Sequence, residues 1–218
     1  MTEEAWVPAA PRASDTAYQQ LRDRILDLRL PPGTVVNEQA VAAELGLGRM
    51  PVREALARLA LDRFVLVQPR RATVVTAPSL EDVVDMFDAR EAIECGVAHI
   101  AARRATKEDL VTLRGLVEAA DRARAGSRSE DFLRDDHAVH VHLVHMLRNP
   151  LLQDAADRLL LHNLRFWRSY WAARPAQQAT MISHSDLLTA LEAGDADGAE
   201  AAMREHIGQS RQLLHATL

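Results

Sequence analysis

The 218-residue chain has a single cysteine, Cys95, so an intramolecular disulfide is excluded and a reducing compartment is expected. Aromatic residues make up only 4% of it, while alanine and leucine are abundant. That balance favours packed helices over sheets. No apolar run approaches the roughly 18 residues of a membrane span. The opening "MTEEAWVPAAPRASD" lacks the basic-then-apolar layout of a secretory leader. A cytoplasmic protein with no membrane association is the expectation. There is no excess of positive charge either. The net charge of −5 excludes a chain that binds nucleic acid through bulk basicity. Neither an HExxH motif nor a paired-carboxylate signature is present, and no repeat or low-complexity tract occurs.

What is present divides unevenly. Residues 1–78 carry 10 arginines against 9 acids, whereas the remainder is acidic. Residues 1–14 show little periodicity and read as a disordered arm. From Asp15, the spacing of Tyr18, Leu21, Ile25 and Leu28 predicts a helix that "LPPG" ends. Asn37 is a natural cap for a second helix over 38–45, closed by Gly46. A third helix follows over about 50–62, with Val52, Leu56 and Leu59 on one side. The runs "FVLVQ" and "ATVVTA", separated by "PRR", predict a hairpin.

Three short helices and a hairpin within residues 15–78 describe a winged helix-turn-helix. Its third helix is the element that enters a major groove. Arg49 and Arg53 are four residues apart and share a face, with Pro51 between them and Arg58 further along. Arginine reads guanine edges or clamps phosphate. Arg70 and Arg71, at the hairpin tip, are placed to follow the backbone or minor groove. A solvated surface charge is the alternative for any one of these arginines; the cluster favours DNA contact.

After Pro78 the texture becomes wholly helical. Ser79 caps a helix over about 80–103, and others are expected over about 105–125, 129–147, 150–172, 176–193 and 196–216. The fold class is therefore mainly α: a winged helix-turn-helix followed by an all-α six-helix bundle over 79–218.

The string "LRDRILDLRLPPGTVVNEQAVAAELGLGRMPVREALARL" resembles the DNA-binding domain of GntR-type bacterial transcription regulators. "DAREAIECGVAHIAA", "DDHAVHVHLVHMLRNPLL" and "HSDLLTALEAGDADGAEAAMREHI" resemble the helical FCD domain of the FadR branch. Six helices are closest to its shorter, VanR-like subgroup. Four positions depart from the pattern. Gly48 stands where the family often has Ser or Thr, Ala72 where the wing usually has Gly, Gln39 where some members carry arginine, and Val139 where phenylalanine is common.

The segment "DDHAVHVHLVH" places Asp136 and His140 one helical turn apart, so both point the same way. His184 and His206 fall on later helices with apolar inner faces. A histidine facing a core is often a satisfied core residue; three helices that each present a polar ligand inward also make a bundle metal site. The resemblance implies the second reading, because metal-containing members use an Asp and a His one turn apart and two later histidines. Asp136, His140, His184 and His206 match that pattern. One carboxylate and three imidazoles suit a divalent transition metal: Zn, Ni, Mn or Fe. His137, His142 and His145 point to other faces, with His137 or His142 able to support a ligand from behind, and Asp135 is a surface acid. Glu91 and Glu94 are within sequence reach of the site, though nothing marks them.

The resemblance implies a sequence-specific transcription regulator, acting as a repressor and binding palindromic operator DNA as a homodimer. A small carboxylate effector would bind at the metal. Arg90 is the candidate effector neighbour, with an intrahelical ion pair to Glu94 as the alternative, and Asn163 and Arg165 are expected beside it. "FWRSYW" at 166–171 reads as helix-end packing. Two other readings use the same four residues: a metal-dependent hydrolase or lyase, and an ion that only cements the bundle.

Overall fold

The computed structural model describes residues 12–68, 71–174 and 181–215. The expected arm falls mostly on residues 1–11, outside the described residues, and so does Arg70. The chain divides into two compact units, Met1–Ala77 and Pro78–Leu218.

In the first unit, α1 (Ala13–Leu26), α2 (Glu38–Leu45) and α3 (Arg49–Leu61) pack beside a three-stranded antiparallel sheet. The Asn37 side chain accepts hydrogen bonds from Gln39 N at 2.9 Å and Ala40 N at 3.0 Å, which satisfies two of the free donors that open α2. Gly46 ends the helix at φ +64°, a conformation that costs other residues more. Leu21, Ile25, Val52, Leu56, Leu59 and Phe64 are almost completely buried, each worth roughly 1.5–3 kcal/mol. Leu28 does not extend this stripe: α1 stops at Leu26, and Leu28 turns to φ +56° ahead of the two prolines.

The hairpin is β2 (Val65–Gln68) with β3 (Ala72–Val75), and β1 (Val35–Val36) adds a third strand on the far edge of β3. Two residues carry too little pattern for a sequence to declare a strand. β1 forms because β3 offers it an open edge. Ala72 sits in β3 and is not among the residues with positive φ, so the backbone there does not require the family's glycine.

The second unit consists, among the described residues, of α4 (Leu80–Arg104), α5 (Lys107–Ala125), α6 (Ser129–Met146), α7 (Pro150–Ala173), α8 (Ser185–Ala193) and α9 (Ala196–His215). Local chemistry sets most of the boundaries. Ser79 with Asp82 and Thr106 with Asp109 form reciprocal capping boxes at α4 and α5. Asn149 caps α7, whose first residue is proline. α4 packs on α9, α5 on α6, and α6 on α7 around a core that includes Phe87, Leu113, Val139, Leu143, Leu160 and Met203. No helix among the described residues is long and apolar enough to cross a membrane.

One expected helix is corrected. Of the expected 176–193 segment, residues 176–180 lie outside the described residues, Met181–His184 are irregular, and the helix runs over Ser185–Ala193. Ser183 accounts for the irregular residues just before Ser185. Its Oγ donates to Asp121 Oδ2 at 3.0 Å and accepts from Ser185 N at 3.1 Å, so the side chain competes locally with helical bonding. Met181 and His184 are buried by this excursion.

Candidate functional site

Asp136 and His140 project from α6 into the bundle, His206 from α9, and His184 from the residue just before α8. His184 therefore stands at a helix start, where the sequence placed it within a helix. Each of the four offers one ligand atom, and these atoms lie within 4.8 Å of one another. Ligands bound to one ion at 2.0–2.2 Å are about 3–4 Å apart, so little closure is needed. His184 Nε2 lies 3.2 Å from His140 Nε2 and 3.7 Å from Asp136 Oδ1. All four side chains are buried.

Burial decides their charge. It pushes His184 and His206 well below the usual imidazole range, with the field of a neighbouring histidine and of Arg90 adding to the effect. Both rings are neutral and present lone pairs. Burial also raises the Asp136 carboxyl, although His140 and Arg90 oppose it. Asp136 accepts no hydrogen bond among the described residues, so its partner is electrostatic. A carboxylate and three lone-pair donors, buried together, fit a divalent transition metal.

Glu94 completes the arrangement. Its Oε2 lies 2.5 Å from His140 Nδ1, and its Oε1 accepts from Arg90 Nε at 2.6 Å. Burial would raise the Glu94 carboxyl, but Arg90 and His140 outweigh that and hold it below the usual carboxylate range. Glu94 thus lies against the Nδ1 side of His140, while Nε2 accepts from the Arg90 guanidinium at 3.4 Å and faces the other ligands. Sequence reasoning left Glu94 unmarked; its spacing of four from Arg90 was the available signal. Arg90 also donates to Asn163 Oδ1 at 3.0 Å. Arg90 thus forms the intrahelical ion pair and also lines the cavity beside the ligands.

A small cavity of about 20 Å³ opens beside the ligands, room for roughly one water. Arg90, Asp136, Asn163, His206 and Ser210 form its polar side. Phe132, Trp167, Trp171, Met181, Ile182 and Leu213 are among its apolar residues. Arg165 does not line it; the residue lies two positions past Asn163, about 200° around the helix, and is buried elsewhere. Desolvation lowers its guanidinium to about 10. "FWRSYW" is packing, as Trp167 meets Phe87 edge to face, but it is also cavity wall through Trp167 and Trp171. The Nε1 of Trp171 is buried with no acceptor among the described residues.

The other histidines lie outside the cluster. His142 Nε2 contacts the Asp109 carbonyl at 3.0 Å, and His145 Nε2 lies 3.3 Å from Asp157 Oδ1. Half-buried His137 is lowered to about 4, chiefly by desolvation. Asp135 pairs with Arg134 at 2.9 Å. Glu91 pairs with Arg204, away from the ligands.

On the first unit, Arg49 opens α3 and is exposed. Arg53 is exposed one turn later and pairs with Glu38 at 3.0 Å. Pro51 is half-buried in the first turn of α3, where its missing N–H costs nothing. Arg71 is exposed beside a groove that Arg53, Glu38 and Gln68 share. Arg58, further along α3, is exposed. It pairs with Asp15 at 2.6 Å and lies 4.3 Å over the Tyr18 ring, so it ties α3 to α1. Gly48 precedes α3 without a side-chain cap, as its lack of a hydroxyl requires.

Comparison with known proteins settles the class. The FCD domain family matches residues 85–209, and the bacterial regulatory proteins of the gntR family match residues 13–75. The chain is 27% identical over 209 residues to the HTH-type transcriptional repressor RspR of Escherichia coli strain K12, covering 95% of this chain and 91% of that protein. It is 30% identical over 196 residues to a probable D-xylose utilization operon transcriptional repressor of Paenarthrobacter nicotinovorans, covering 88% and 86%. The structure of E. coli McbR/YncC superposes with a TM-score of 0.81 at 22% identity, covering 95% and 99%, which establishes the shared fold. The hydrolase or lyase reading is thereby set aside, since the family and these relatives are regulators and not enzymes. The chain belongs to the GntR family of bacterial regulatory proteins, carries a C-terminal FCD domain, and is a transcriptional regulator.

Proposed function

We propose that this regulator is a repressor whose affinity for a palindromic operator is controlled by a small carboxylate bound at a metal centre. Asp136, His140, His184 and His206 hold the ion, which is Zn, Ni, Mn or Fe. Once bound, it supplies a coordination position open to an incoming carboxylate. The observation that carries the reading is the convergence of four buried ligand atoms within 4.8 Å beside a cavity that also contains Arg90 and Asn163. Glu94 orients His140, and Arg90 is held ready on the cavity wall.

The DNA side follows from α3. Arg49 and Arg53 read base edges in the major groove, with Pro51 setting the entry of the helix and Arg70 and Arg71 following the backbone from the wing. A homodimer doubles these contacts and matches the two-fold symmetry of a palindrome. The effector regulates by binding one arrangement of the two DNA-binding units better than another.

The test is metal content per chain by elemental analysis of tag-free protein, wild type beside His184→Ala. About one equivalent in the wild type, lost in the variant, is expected. Equal metal in both would remove the site as assigned. A gel-shift titration of the holo protein on its operator, with and without small carboxylates, then tests the control.

A further inference from the structure

The three histidines of the cluster are supported unequally. A ligating histidine is ordinarily steadied through its second ring nitrogen. His140 has the Glu94 carboxylate against Nδ1 at 2.5 Å. The Nδ1 atoms of His184 and His206 are buried with no hydrogen-bond partner among the described residues. His206 lies well inside α9, whose backbone fixes it. His184 has no such frame. It is the residue before α8, at φ −104° and ψ 16°.

That position commonly holds Ser, Thr, Asp or Asn, whose side chain accepts from the free N–H groups of the first turn. The His184 ring is buried in the bundle and makes no such bond. Its carbonyl still accepts the first helical bond, from Leu188 N at 2.9 Å. The side-chain capping falls one residue earlier. Ser183 Oγ accepts from Ser185 N at 3.1 Å and donates to Asp121 Oδ2 at 3.0 Å. The other oxygen of Asp121 accepts from Arg124 Nε at 3.1 Å. The hydroxyl is therefore held from two sides, by the start of α8 and by α5, a helix that carries none of the four ligands. With Ser183 as the cap, the residue before the helix is released to point its ring inward. Metal–ligand bonds tolerate only about 0.2 Å of displacement, so the backbone at His184 has to be fixed.

We propose that Ser183 and Asp121 are positioning residues of the metal site: their bond, anchored on α5, sets the backbone that delivers His184 to the ion. The proposal rests on the metal reading above.

The test is the Zn²⁺ affinity of the full-length protein, by competition with a chromogenic chelator, together with the visible spectrum of its Co²⁺-loaded form, whose bands report ligand geometry. Ser183→Ala should weaken Zn²⁺ binding about tenfold, the lower end of what loss of a supporting partner costs a metal site. Ser183→Thr keeps a hydroxyl and should stay within about twofold of wild type. Asp121→Ala leaves Ser183 able to cap Ser185 and should weaken binding several-fold. Both alanine variants should shift the Co²⁺ bands. Asp195→Ala is the control for a lost cap, because Asp195 Oδ1 accepts from Gly198 N at 2.9 Å at the start of α9, the helix that carries His206. It should lower Tm about as much as Ser183→Ala does, with Zn²⁺ affinity and Co²⁺ spectrum unchanged. Wild-type Zn²⁺ affinity in both Ser183→Ala and Asp121→Ala, or losses no greater than that of Asp195→Ala, overturns this inference alone. A loss in Ser183→Ala with wild-type affinity in Asp121→Ala overturns the anchor on α5. A wild type that binds neither Zn²⁺ nor Co²⁺ overturns the metal reading, and this inference with it.

Discussion

Glu94 and His140 meet through Oε2 and Nδ1 at 2.5 Å, both fully enclosed by the bundle. The contact holds the imidazole so that Nε2 faces Asp136 and His184. Removing such a supporting carboxylate costs about 10–100-fold in metal affinity. Glu94→Gln should show that loss in a competition titration with a chromogenic chelator. Unchanged affinity would leave Glu94 as nothing more than a partner for Arg90.

Metal removal should destabilise the C-terminal unit. An ion present at a thousand times its Kd contributes about 4 kcal/mol. A chain of this size loses roughly 2–4 °C per kcal/mol, so chelation should lower Tm on the order of 10 °C. His184→Ala should melt at the chelated value and stop responding to chelator. A wild type that melts alike with and without chelator would contradict the metal centre.

The arginines of α3 should separate by role. Arg49→Ala should abolish specific operator binding in a gel shift while leaving metal content intact. Arg58→Ala should keep operator affinity within about twofold, and destabilise the winged unit by about 1 kcal/mol through loss of the Asp15 pair and the Tyr18 contact. If Arg58→Ala weakens operator binding tenfold without loss of stability, the arginine leaves Asp15 for DNA.

Glu38 competes with DNA for Arg53, since the two pair at 3.0 Å on an exposed face. Glu38→Gln should release that arginine. Nonspecific affinity at low salt should rise about threefold, and the salt slope should steepen by about one. An unchanged slope would mean that the pair persists on DNA.

Asp109 links stability to pH. Burial alone would raise its carboxyl, but hydrogen bonds from Thr106 and Arg148 more than offset that and hold it low. A group depressed in the folded state stabilises above its unfolded value, about 3.9. That stability is lost as pH falls through the folded value. Asp109→Asn should therefore lower the unfolding free energy read from urea titration at pH 7 by about 1 kcal/mol, and the difference from wild type should shrink as pH falls below about 3.9. A constant difference across that range would assign the effect to packing.

Much of this protein follows from local chemistry that a sequence displays directly. Asn37, Ser79, Thr106 and Asn149 cap their helices because their side chains reach donors two or three residues away. Asp136 and His140 share a face because a helix repeats every 3.6 residues. The resemblance then named His184 and His206 as candidates, although nothing within their own helices marks them as ligands. What only the tertiary structure decided depends on neighbours far along the chain. Glu94 gains its role from a histidine on another helix, and Arg58 is drawn to Asp15 across the α1–α3 contact. β1 exists because β3 has a free edge, and Ser183 holds His184 ahead of α8 by reaching Asp121. Trp167 and Trp171 share one face of α7 and would pack in any bundle, so their pattern reads as core; whether that core leaves a cavity is set by how Met181 and Leu213 fill the opposite side. Periodicity and capping act within a turn or two of helix, whereas a cavity and its charge are sums over elements that sequence order does not bring together.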